Sequence, residues 1–242
     1  MNSSKQILII LLTVVLAVLI YLAPKMSSGK KAAPDTGGDF SAQFEEAKKS
    51  LSEEQKRIFE RLEEKLHRAE KDNNEQSWQT CGNEFLKAAR FFQDANKVVL
   101  YKGAISGFEK VLALNPKNLS AKTSLGSAIV EGSSVLGIQP MAGITLIREV
   151  VAADSANIEA NLQLGLFSVT SRQFDKAIER FQRILRIDST HIDMYVYLGD
   201  TYMTMGEKQK AIDSYENYKT RVKDTLIIKD IDEYIKKLKQ NN

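Results

Sequence analysis

With 242 residues, 27% charged and 43% apolar, the chain can bury a core in one extended domain or two small ones. A net charge of +3, with no Lys/Arg cluster interleaved with aromatics, argues against a nucleic-acid partner. The single cysteine, Cys81, excludes an intramolecular disulfide, and with only His67 and His191 beside it there is no zinc-ligand set.

The chain opens with a short head, residues 1–5. Residues 6–23 then form an almost unbroken apolar run, ILIILLTVVLAVLIYL from Ile7 to Leu22, with Tyr21 near its end and Pro24 after it. At 1.5 Å rise per residue the run spans about 27 Å, enough for a thin hydrocarbon core. Tyr21 is bulky where a signal-peptidase site needs a small residue, and no lipoprotein cysteine follows, so the expectation is an uncleaved signal-anchor. The positive flank at Lys25, Lys30 and Lys31 votes for a cytoplasmic bulk. The layout of a very short basic head before an apolar run votes for export. The second is preferred: a single-pass membrane protein whose bulk lies on the extracytoplasmic, periplasmic side.

Residues 24–39 are polar, small and Gly/Pro-containing, and read as a flexible tether. From Phe40 to residue 72 there is no Gly or Pro. Phe44, Ala47, Leu51, Ile58, Leu62, Leu66 and Ala69 recur at spacings of 3, 4 and 7, which places them on one helical stripe amid dense charge. This predicts one charged amphipathic helix over 40–72, or two broken near Ser52. The segment serves either as a cap on the helices downstream or as a coiled-coil seam for a homodimer. The cap is preferred because about two heptads make a weak coiled coil.

From residue 75 the chain is self-similar. Leu164-Gly165 recurs as Leu198-Gly199, Ala177-Ile178 as Ala211-Ile212, and Phe181 as Tyr215, each 34 residues on. Upstream, Trp78, Cys81, Gly82 and Phe85 share the opening pattern, with Ala104, Phe108 and Pro116 completing it over a gap about ten residues longer. A further copy opens at Leu125-Gly126 and carries about five extra residues between Gly132 and Pro140, with Gly143 where Ala is expected. Such a period is the mark of stacked helical hairpins, where Leu and aromatics fill the space between paired helices and Gly and Ala let backbones approach. The tail, with Ile228, Ile231, Ile235 and Leu238 on one face and Lys on the other, predicts a capping helix over 226–242.

These positions resemble the tetratricopeptide repeat family, whose pattern is W-x2-L-G-x2-Y followed by a small Ala, an aromatic and a late Pro. Tyr195, Leu198, Gly199, Tyr202, Ala211 and Tyr215 match it closely; the preceding copy has Asn161 and Ser168 in aromatic slots. The resemblance covers 75–225, two specific repeats and two degenerate ones. It implies an all-α solenoid of about four helix pairs whose first helices line a concave groove. Carried over by register, the groove positions include Gln79, Asn83, Thr123, Ser127, Leu162, Leu166, Val196, Asp200 and Met203. None is Lys or Arg, so the family's Lys/Asn clamp for a partner's acidic terminus is missing. The expected partner is a protein or peptide segment that is neutral-to-basic and partly apolar. The competing reading fills the groove with the chain's own 40–72 segment.

No Gly-rich phosphate loop, G-x-S-x-G or H-E-x-x-H is present. The expectation is therefore a non-enzymatic membrane-anchored scaffold or adaptor without cofactor or metal. The alternative is an assembly factor for exported proteins. The stretch from Gln139-Pro140 through Ala177-Ile178 is similar to tetratricopeptide subunits of c-type cytochrome maturation, mostly at positions generic to the repeat.

Overall fold

A computed structural model describes residues 40–240, and every regular element among them is helical. The anchor expected at 6–23 and the tether at 24–39 lie outside the described residues. Among the described helices none is long and apolar enough to cross a membrane. Residues 40–155 and residues 156–240 form two compact units.

The first unit contains α1 (Phe40–Ala47), a 3-10 turn (Lys48–Ser50), α2 (Glu53–Asp72), α3 (Glu75–Phe91), α4 (Lys97–Leu114), α5 (Leu119–Leu136) and α6 (Met141–Ala153). The amphipathic stretch breaks where Ser52 takes an extended backbone and caps α2. Gln55 N donates to Ser52 Oγ at 3.3 Å, and Ser52 N donates to Gln55 Oε1 at 3.0 Å. This reciprocal box satisfies two of the amide donors that every helix start leaves open.

The stripe on α1 and α2 faces inward. Phe44, Leu51, Leu62 and Ala69 are buried, and so is Phe59, which lies beside the predicted stripe. Phe44 stacks on Phe59 at 5.0 Å between centroids and tilts onto Phe85 of α3 at 5.7 Å; Phe59 meets Phe92 edge-on at 5.7 Å. The 40–72 segment is therefore a cap on the first hairpin. The apolar stripe that a dimer seam would have used is spent inside the chain.

The hairpins α3/α4 and α5/α6 come next. The extra residues of the first hairpin lengthen both of its helices, to 17 and 18 residues. Those of the second extend α5 by about a turn, to a left-handed Gly137 at φ 66°. Most of each extension is helical, though the α3–α4 turn, residues 92–96, is longer than the corresponding turn of the second unit, residues 171–173. Asn74 and Asn118 cap α3 and α5 through side-chain oxygens that accept from Ser77 N and Ala121 N, both at 2.9 Å. Glu75 Oε2 accepts from Asn115 Nδ2 at 3.0 Å and Asn118 Nδ2 at 2.9 Å, fastening the start of α3 to the α4–α5 turn.

The second unit contains α7 (Ile158–Thr170), α8 (Phe174–Ile187), α9 (Met194–Thr204), α10 (Lys208–Lys219) and α11 (Thr225–Gln240). Asn157 caps α7 in the same way, accepting from Ala160 N at 2.9 Å. Asn161, in an aromatic slot, is buried but satisfied: its amide donates to Asn157 O at 2.8 Å, and Arg180 donates to its Oδ1 at 2.8 Å. The capping helix α11 buries Ile227 and Ile235, while Ile228, Ile231 and Leu238 stay half-buried. Ile231, Ile235 and Leu238 thus pack on the expected face, and only at its start does Ile227 replace Ile228, inserting beside Val196 and Tyr218.

Candidate interaction surface on the first helices of each hairpin

Each hairpin is closed by one steric relation. A Cβ on Gly199 of α9 would lie 2.5 Å from Tyr215 of α10, and one on Gly165 of α7 would lie 2.6 Å from Phe181 of α8. In the first unit Gly82 stands against Phe108 in the same way. The α5/α6 pair substitutes Ile147 for the aromatic and lets Gly126 meet Gly143, so two backbones touch there. This spacing orients every first helix and decides which of its side chains face outward.

In the first unit, Gln79 and Asn83 come together. Gln79 Nε2 donates to Asn83 Oδ1 and to Ser124 Oγ of α5, both at 3.3 Å, and Gln79 Oε1 is buried with no hydrogen-bond partner. Asn83 is exposed. Ser124 joins this polar pair although it lies outside the groove register. Thr123 and Ser127 are buried at 1% and 3% exposure. Their hydroxyls donate at 3.0 Å to Leu119 O and Thr123 O within their own helix. They are turned away from an incoming ligand because small hydroxyl residues let α5 pack closely and satisfy themselves on the preceding turn. The 40–72 segment packs on α3 and α4 and leaves Asn83 open.

In the second unit, Leu162 and Leu166 are half-buried against a core of Ala177, Phe181, Ile184, Met194 and Leu198. Met203 is half-buried beside Ala211, Ile212, Tyr215 and Ile235. Val196 is covered by Tyr218 and Ile227. Asp200 is half-buried, with Oδ1 accepting from Tyr215 OH at 2.7 Å, and Oδ2 is buried without a hydrogen-bond partner. Tyr234 of α11 packs edge-on against Tyr215 at 5.4 Å between centroids. Burial holds the Asp200 carboxyl above the usual aspartate range, partly offset by the Tyr215 hydroxyl. Burial and then the Asp200 charge push the Tyr215 phenol upward. Tyr215 was legible as a core aromatic; its second task, donating to Asp200, was not. Tyr234 and Ile227 were missed because the stripe read on the tail ran through Ile228, Ile231, Ile235 and Leu238.

The remaining chemical candidates are structural. Cys81 is buried at 1% exposure in its core slot, which pushes its thiol up to about 12. His67 is exposed on α2, and His191 lies in the α8–α9 turn, 3.5 Å from Asp188. Among the described residues no group of three His, Cys, Asp or Glu could hold a metal ion.

Helical hairpins joined by short turns, each closed by a Gly–aromatic or Gly–Gly approach, define an all-α helical-repeat protein. A family model for the tetratricopeptide repeat matches residues 192–219, the segment leading into and spanning α9 and α10. Residues 192–219 thus carry a tetratricopeptide repeat, and the hairpins around it share that fold. Among solved structures it is similar to MamA from Desulfovibrio magneticus RS-1, from its residue 41 onward, at TM-score 0.51 and 19% identity, over 76% of this chain and 96% of that one. YrrB, described as a tetratricopeptide protein with an unusual peptide-binding site, is similar at TM-score 0.49 and 18% identity, over 81% of this chain and 98% of that one. A second MamA crystal structure shows 24% identity at TM-score 0.46, over 62% and 95%. No curated protein sequence matches the chain.

Proposed function

We propose that this chain is a membrane-tethered scaffold that holds a protein partner on the first-helix faces of its hairpins and catalyses nothing. One observation carries the reading: Leu162, Leu166 and Met203 sit at the register expected for the groove and remain half-exposed, while their neighbours on α7 and α9 are spent in the core. Apolar side chains at the rim of a packed hairpin, flanked by carboxylates and free of Lys or Arg at the same register, suit a neutral-to-basic, partly apolar segment. The apolar run at 6–23 supplies the tether, and the bulk lies on the extracytoplasmic side.

The stretch similar to cytochrome-maturation subunits adds nothing specific to that pathway. Gly143 stands against Gly126 and Ala177 lies in a core, which are roles any such repeat needs.

A photo-crosslinking amino acid placed in turn at Leu166, Met203 and the exposed Gln182 of α8 tests the reading in native membranes. Discrete adducts are expected from the first two positions and none from the third. Equal adducts from Gln182 would defeat the assignment of the face. A reporter fused to the C-terminus fixes the topology, and activity on the cytoplasmic side would reverse the orientation.

A further inference from the structure

A carboxylate oxygen taken out of water without a donor is costly, and proteins usually pair or hydrogen-bond such atoms. In the second unit Asp200 Oδ2 is such an atom, while Oδ1 is held at 2.7 Å by Tyr215 OH. Neither oxygen accepts from a lysine or arginine of the described chain. Asp200 as a residue is half-buried, while Oδ2 itself is sealed from solvent. Tyr234, whose ring packs against Tyr215 and which feels the Asp200 charge, is itself 38% exposed. The other charged groove-register positions of this unit, Glu159 and Asp193, are also acidic and exposed.

We propose that Asp200 anchors one cationic side chain, lysine or arginine, of the bound peptide, which enters beside Tyr234 and donates to Oδ2. This rests on the groove reading above and deepens it. Tyr215 is the positioning residue: its hydroxyl holds Oδ1 and so leaves Oδ2 as the free acceptor. The two phenol rings also offer a cation their π faces. Truncating the cation to an apolar chain of equal length would keep the rim contacts and lose only the anchor.

The test uses the full-length chain and four synthetic peptides of identical Leu/Ser composition, differing only at a central Lys, Arg, norleucine or Glu. Calorimetry or fluorescence anisotropy is expected to show the Lys and Arg peptides binding at least about tenfold tighter than the norleucine peptide. Asp200→Asn should erase that difference. The comparison within the wild-type chain stands even if the variant folds poorly. Lys, Arg and norleucine peptides binding alike would overturn the anchor and leave the groove reading intact. So would a Lys preference that survives Asp200→Asn, or tightest binding by the Glu peptide. No binding by any of the four would remove the groove reading and the anchor with it.

Discussion

Gly199 and Asp200 stand next to each other on α9, and both are governed by Tyr215. The glycine admits the ring; the aspartate accepts its hydroxyl. Gly199→Ala would place a methyl 2.5 Å from the ring, against a neighbour that is itself buried. The expected cost is about 1–3 kcal/mol, read as a lower denaturant midpoint with an unchanged slope. For Asp200 the sign of the pH dependence follows from burial. A carboxyl held above its ordinary range binds its proton more tightly folded than unfolded. Its contribution to stability is therefore greatest below the ordinary aspartate range and declines as pH rises through that range to the raised folded value. Denaturant midpoints of wild type and Asp200→Asn compared from about pH 3 to about pH 8 should converge at the acid end, with wild type falling away above the ordinary aspartate range. Parallel profiles would contradict this.

At the scale of single elements, sequence period located the helices and short polar residues ended them. The first helices α3, α5 and α7 each begin on an Asn that caps its own helix, and α4, α6 and α8 end at Asn115, Asp154 and Asp188 in extended conformation. The most consequential boundary is Ser52, because it turns one long amphipathic stripe into two helices that can fold over the first hairpin. Ser52→Ala should cost about 1 kcal/mol and lower the thermal midpoint of the first unit while leaving its helix content intact. The length anomalies in the repeats were visible in the residue count, but their form was not. A helix that can keep hydrogen-bonding its backbone extends rather than loops, and nothing before Gly137 stops α5.

For the whole molecule, the cap at the start of the first unit is as much part of its core as the repeats are. Phe59 is 1% exposed and joins Phe44 to Phe92. Phe59→Ala is expected to cost about 3–5 kcal/mol, a large share of what one such unit possesses. The measurement is urea unfolding followed at Trp78, which lies in the same cluster. A loss below about 1 kcal/mol would mean that the 40–72 segment is only loosely attached and available for other pairing.

The repeat period, the Gly and aromatic slots and the inward stripe on 40–72 were legible from residues alone, because a helical hairpin advertises its buried face through spacing. The groove residues were legible only as a register. Tertiary packing then spent Thr123 and Ser127 on their own backbone, covered Val196 with Ile227, left Leu162, Leu166 and Met203 half-open, and isolated one oxygen of Asp200. The difference has one cause: a period records which side of a helix is apolar. Whether a given polar atom on that side finds a donor depends on which residue of a distant helix arrives opposite it.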